Sequence, residues 1–576
     1  MAREVVQIVE LLQPSCSLVW GQSPCSAAGN AARKCFNTRK TCQDVENFTL
    51  SSTSIFFVTG DIAGRDIDGV TYAIPLLKSV STVPSKVNFA GANHNMQAFG
   101  TRATCSIAFG DAPYDDTLVD PYVSERDYTP EDLGTFWGAW LQRNPYYTNM
   151  TIKVYEGFLG DALSEMSVRT YFTSSVSQSS NGGGVSIVGR DILARVEEKN
   201  GQCPVISTGV VYQSITDSAA TFRVSNAEID DYSSSGMVRI DDEIVTYTSI
   251  TESEDGLYIQ FEGSSRGTNG TEAAPHDIET TVQQCASYFD QEIPSVLYDL
   301  LVTYCGVGAE YLDVAGWNQE VSELISDYRI NRIISEPESV QELISQIQNQ
   351  CLIFMWWDER TALVKMKVVR GLTEYPEILS DNDNILSGLS VKQSEDQRAS
   401  QVWYWYGRTD SLSDVSEIAN YNGYVTADVD SESEERYGSA SIREIFGTWV
   451  SSRLMAKEVG ERILQRYVDI PKSITFSMDL KDRAYGVGDP FYLEHYLFYD
   501  EWRQPTLTTW LITSYEEKLT QGVVTYTAED ITSYGRNYYF MASDATDYDG
   551  SRVFKSAYWG DDNGELNDGT IGARYS

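Results

Sequence analysis

Apolar and polar positions alternate in short runs through most of this chain, the period-two pattern of half-buried strands. Residues 54–58 (SIFFV) predict a strand, and short β runs with turns continue to about Gly110, alternating clearly in CSIAFGD at 105–111. The segment GTFWGAWLQRNPYYTNMTIKVYEGFLGD (134–161) predicts an aromatic-rich helix stopped by Asn144-Pro145, then a strand carrying Ile152, Val154 and Tyr155 into Gly157. Gly182, Gly183 and Gly184 mark a loop. Residues 206–284 then form a compact all-β pattern, which predicts a small inserted barrel. In it Val238 and Ile240 alternate with polar neighbours, Asp241-Asp242 turns the chain, and a return strand runs to Tyr247. Its loop Arg266-Gly267-Thr268-Asn269-Gly270 has the composition of a segment that needs positive φ.

Helical spacing appears next. Pro294 opens a helix with Val296, Leu297, Leu300 and Leu301 on one face and Gly306 as its stop. A second helix is expected over 317–325. A third follows Ser335-Glu336-Pro337-Glu338, where the spacing predicts a Ser335 cap with Glu338 reaching back to it. Val340, Leu343, Ile344 and Ile347 then make one apolar stripe. CLIFMWWDE and TALVKMKVV predict a hairpin turning at Asp358-Glu359-Arg360, with the helix packed on it. The last third returns to β structure around a helix near 453–467. SITFSMDL alternates, YGVGDPFYL turns tightly at Gly488-Asp489-Pro490, and TWLITSYEEKLTQGVVTYTAED predicts another hairpin. Beyond Met541 the chain is rich in Asp, Gly, Ser and Tyr, and an extended arm is expected.

Composition narrows the classes of function. At 576 residues the chain should hold roughly three to five domains. An apolar share of 42% with 12% aromatics is enough for ordinary cores. No run of 18 apolar residues is present, so no spanning helix is expected. The N-terminus lacks the apolar core of an export signal. The net charge of −40 is spread along the chain, which disfavours nucleic-acid binding through a basic surface. Charge repulsion would keep such a protein soluble; it would also let a polyanion pass without adhering. The 36 tyrosines suit strands and interfaces. His94, His276 and His495 are far apart, without companion ligands, and read as surface or packing residues.

The candidate chemistry lies in four cysteines, Cys16, Cys25, Cys35 and Cys42, on a Gly-, Ser- and Asn-rich segment. The other five are scattered. Disulfides would need an oxidising compartment, which the missing signal disfavours. Zinc sites usually bring a closely spaced cysteine pair, whereas the gaps here are of eight, nine and six residues. Wide gaps suit an iron–sulfur cluster whose ligands come from separate turns. Four unrelated small buried residues are the plainest alternative. An enzyme is not expected: no G-x-S-x-G, H-E-x-x-H or phosphate-binding loop is present, and among 83 Asp and Glu residues no carboxylate pair stands out.

Five segments, in order, resemble tail hub (baseplate hub, tail tip) proteins of long-tailed bacteriophages and gene transfer agents. They are CFNTRKTCQDVENF preceded by C-x8-C, the element GTFWGAWLQRNPYYTNMTIKVYEG, VRIDDEIVTYT with SSRGTNGTEAAPHD, the helix and hairpin over 335–369, and the YGVGDPFYL turn. The resemblance covers most of residues 1–540. It implies a mainly β fold with α+β parts: two tube-like β domains, a helix-plus-hairpin domain and an inserted small β barrel. The chain would divide into a four-cysteine segment (1–48), a first hub β domain (49–205), the barrel (206–284), an α+β hub domain (285–395), a second hub β domain (396–540) and an arm (541–576). The resemblance further implies a homotrimeric ring at the tip of the tail tube in the virion, assembled in the host cytoplasm. Such a ring contacts a distal tail protein and a central tip or fibre protein, and DNA crosses its lumen during ejection without specific binding. Some tail-tip proteins of this kind hold a 4Fe–4S cluster, which would fall on Cys16, Cys25, Cys35 and Cys42, with zinc as the alternative. A second reading is a receptor-binding tail protein that grips host glycans through the barrel, using Tyr232, Tyr247 and Tyr258. Strand-face packing is the plainer role for those tyrosines.

Overall fold

The computed structural model describes residues 4–65, 67–89, 99–179, 184–197, 201–369, 377–426, 434–435, 437–499, 502–503, 506–531, 539–541 and 573–575. The expected role of His94 and nearly all of the expected arm lie outside them; of the arm and its approach, Tyr539–Met541 pairs with Ala573–Tyr575.

An eight-stranded sheet organises the N-terminal third. Its spatial order is Ala73–Ile74, Leu50–Phe57, Val5–Cys16, Thr151–Phe158, Ser167–Ser179, Gly184–Arg190, Thr104–Gly110 and Leu77–Val83. Alternation sets the register: Val9 lies opposite Phe57 on one side and Val154 on the other. These side chains share a core with the helix Phe136–Arg143, whose Trp137 ring stacks on Phe57 at 5.4 Å. Thr135 caps that helix by accepting from the Gly138 amide, and the helix ends at Asn144 before Pro145, as the sequence predicts.

The expected boundary at 48/49 needs correction. Val5–Cys16 is an inner strand, paired on both sides, so the cysteine segment after Cys16 is a long loop between two adjacent strands. The run VVQIVELL had no turn signal to mark it, and its partners lie some forty and 145 residues away.

The segment 206–284 is a closed unit of a four-stranded and a three-stranded sheet around Val211, Val224, Val238, Ile240, Val245 and Phe261. Its entry and exit touch, the Gln284 amide donating to Ser207 Oγ at 3.0 Å. Gly267, Asn269 and Gly270 adopt positive φ, as the loop composition requires.

Helix Val340–Cys351 packs on the hairpin Ile353–Asp358/Leu363–Val368, with Val340, Leu343, Ile344 and Ile347 fully buried. The expected cap at Ser335 does not form. Glu338 instead takes two bonds from Arg332 Nη2 at 2.7 Å, and Glu338–Ser339 pairs as a strand with Gln202–Cys203, so the helix starts five residues later. A buried guanidinium outcompetes the cap for the carboxylate.

The expected boundary at 395/396 is also displaced. Ile378–Ser380 and Ile385–Gln393 form the two edges of a six-stranded sheet with Pro490–Glu494, Thr508–Lys518, Val523–Asp530 and Lys472–Asp479. Between them in sequence, the three strands Gln401–Arg408, Tyr421–Thr426 and Ile442–Phe446 and the helix Arg453–Tyr467 join the core of the helix–hairpin unit. Tyr404, fully buried, donates to the Gln350 carbonyl at the end of the Val340–Cys351 helix. The chain thus passes between two cores three times, which a linear division could not express. No helix among the described residues is long and apolar enough to cross a membrane.

Candidate metal centre

The loop after Cys16 folds back on itself through Asn37. Its backbone sits in the left-handed region at φ 52°, its carbonyl accepts from the Cys16 amide at 2.7 Å, and its side-chain amide donates to the carbonyls of Cys16 and Leu18. Asn tolerates this conformation because its short polar side chain bonds locally. Thr41 Oγ1 accepts from the Phe36 amide, and Asp44 accepts from the Ser26 amide and hydroxyl, drawing the Cys25 and Cys42 turns together.

The result brings Cys16, Cys25, Cys35 and Cys42 around one recess, closed by Leu18, Trp20 and Ala27 and by polar Asn37, Gln43, Asp44 and Asn47. The recess is small, about 10 Å³, close to the space one water needs. All four are free thiols, as are the other five cysteines. Burial pushes the Cys35 thiol up; a bond from the Asn37 amide opposes this, and Cys42, Cys25 and Cys16 add to the rise. Among the described residues no group of three or more His, Cys, Asp or Glu side chains has the arrangement to hold a metal ion.

The loop is anchored from outside by residues that no local pattern announces. Arg126 and Asp120 form a fully buried pair at 2.7 Å, and the same guanidinium donates to the carbonyls of Ala32, Lys34 and Cys35. Phe36 lies between the Arg126 and Arg143 guanidiniums at 4.1 and 3.9 Å. Lys34 pairs with Glu125 and lies over Trp20 and Tyr122, and Tyr122 accepts from the Trp20 amide. Arg126 and Lys34 thus hold the cysteine loop while paired with Asp120 and Glu125. Arg126 lies about 90 residues from the cysteine loop it holds, which hid it from sequence reading.

The other candidates separate. Tyr232 and Tyr247 are buried at 5% and 3% exposure, donating to the Val282 carbonyl and to the Ser233 carbonyl and Gln284 side chain, so neither can meet a glycan. They fill the barrel, which corrects their proposed adhesive role. Tyr258 is half-buried and stacks on Tyr212 at 5.2 Å, with Arg223 over it. His276 is a buried barrel residue held between Asp241 and Glu243 at 2.9 and 2.8 Å, companions the sequence reading missed. His495 is buried, and burial lowers its pKa.

No protein-family model matches the chain, and no curated protein matches it. Among solved structures it is similar to the tail protein from Neisseria meningitidis MC58, at 10% identity over 79% of this chain and 93% of that one, TM-score 0.37. It is also similar to the 43 kDa tail protein of prophage MuSo2 from Shewanella oneidensis, at 10% identity over 80% and 98%, TM-score 0.34. A chain of a native gene transfer agent virion matches at 11% identity over 64% and 79%, TM-score 0.28. At these TM-scores the functional reading rests on the chain's own residues.

Proposed function

We propose that this chain is a structural, non-catalytic virion protein of a tail or baseplate, the hub at the distal end of a phage-type tail tube. A homotrimer would join a distal tail protein to the central tip or fibre and enclose the path of DNA. The observation carrying this reading is the order of the five resembling segments along the chain. Two large sheets, at the N-terminal and C-terminal ends, supply the two β domains a trimer needs to meet a six-fold tube. Spread negative charge suits a wall that DNA passes without adhering.

Cys16, Cys25, Cys35 and Cys42 would hold a 4Fe–4S cluster. Four thiols lining one recess match the ligand number of such a cluster. The cluster would supply rigidity to a loop with little apolar core of its own.

The test is location. A labelled antibody against residues 206–284, applied to intact particles, should decorate one end of the tail in electron micrographs. Decoration of the capsid or along the tail shaft would overturn the reading. The receptor-binding alternative now has only Tyr212 stacked on the half-buried Tyr258 to support it.

A further inference from the structure

A cavity of about 170 Å³ lies where the barrel's Asn269 loop, the strand Ile330–Ile334 and the segments around Arg408–Ser411 and Thr448–Ser451 meet. One water needs about 10–15 Å³, so the space takes a larger guest. Two guanidiniums line it, Arg332 and Arg408, and no carboxylate does. Arg332 already pairs with Glu338 at 2.7 Å.

The donors on this cavity exceed the acceptors. Arg332, 5% exposed, spends Nη1 on Gln346 and Thr448 and Nη2 on Glu338, yet its buried Nε has no partner. Arg408 donates from Nη2 to the Ser413 carbonyl, and its Nε is likewise buried without a partner. The buried Ser411 hydroxyl is a third. Asn331 does not relieve them, because its amide donates to Ser451 and its carbonyl accepts from the Asp290 amide. An oxyanion offers four or more lone pairs and brings the opposite charge to the guanidiniums. Leaving such donors unmet in a buried site is costly.

We infer that this cavity is a binding site for a small oxyanion, a carboxylate or phosphate group, held by Arg332, Arg408 and Ser411. An anion there also fastens the root of the barrel. Gly270, at φ 86°, lies so close to Thr409 that a Cβ would stand 2.4 Å from its carbonyl oxygen, so this loop already rests on the Arg408 strand.

The full chain is titrated calorimetrically with inorganic phosphate and, separately, with acetate, at an ionic strength held constant by chloride. Saturable binding of one anion per chain is expected, weakened at least tenfold in Arg408→Gln and about threefold in Ser411→Ala, with unchanged circular dichroism. Phosphate binding alone assigns a phosphate-bearing ligand. Acetate competing for the same site assigns a carboxylate, as an acidic side chain of a neighbouring chain would supply. No saturable binding of either anion overturns the inference, and so does equal binding by wild type and Arg408→Gln. Should Arg408→Gln fail to fold, equal binding by wild type and Ser411→Ala overturns it instead.

Discussion

Glu359 shows how one buried acid can couple two parts of the chain. It sits at the tip of the hairpin Ile353–Asp358/Leu363–Val368 and accepts from Tyr171 of the first sheet at 2.8 Å, while its carbonyl accepts from the Thr170 amide. Burial pushes its carboxyl up to about 7, against the opposing pull of Arg169 and Tyr171. A carboxyl raised in the fold favours the folded chain below its ordinary range near 4.5, and that contribution is lost as pH rises through about 7. Glu359→Gln keeps an acceptor for Tyr171 without the charge. Its thermal stability relative to wild type should rise between pH 5 and pH 8, by roughly 1–3 kcal/mol, and an unchanged difference across that range would refute the coupling. The Arg126–Asp120 pair gives a second prediction. Arg126→Met leaves Asp120 buried and uncompensated and releases three loop carbonyls, at a cost of roughly 3 kcal/mol. Circular dichroism melting should show the loss, and protease should cut the 17–49 loop faster than in wild type. The four thiols were legible in the sequence as a group because they cluster within 27 residues. Arg126, Asp120 and Phe36 were not, because burial and cation–π stacking leave no local spacing.

At the scale of elements, segments with strong internal periodicity were read correctly: the helix Arg453–Tyr467, the stripe on Val340–Cys351, the hairpin after it and the stop at Asn144. The failures came where tertiary contacts overrode local rules. Ser335 had the spacing of a cap, but Arg332 claimed Glu338. Tyr232 and Tyr247 took the plainer of their two roles, packing inward on Phe261 at 5.1 and 4.8 Å, and only their adhesive alternative failed. The barrel gives the clearest element-level test. Because Ser207 and Gln284 already touch, residues 208–283 can be replaced by a short Gly-Ser linker without pulling the flanking strands apart. Particles carrying that chain should still assemble tails at wild-type yield. Loss of assembly would make the barrel part of the hub, and intact tails that no longer adsorb would restore its adhesive role.

For the whole molecule, the mainly β architecture and the inserted barrel were legible, but the division of the chain was not. Two cores share the C-terminal half through crossings at about 369–378, 394–401 and 468–472, and an N-terminal strand belongs to the sheet it precedes. Such boundaries are set by strand partners roughly 35 to 150 residues apart, for which the sequence carries no period. The same long reach places the cysteine loop on the first sheet, pinned by residues 116–126, so a cluster there would stiffen the edge of a β domain rather than a free tail. The deciding measurement is iron and acid-labile sulfide per chain, with the absorption spectrum, on protein purified without oxygen. About four of each, with a broad band near ~400 nm that Cys35→Ser abolishes, is the expected result. Metal-free protein, zinc alone, or iron that survives Cys35→Ser unchanged would contradict the cluster.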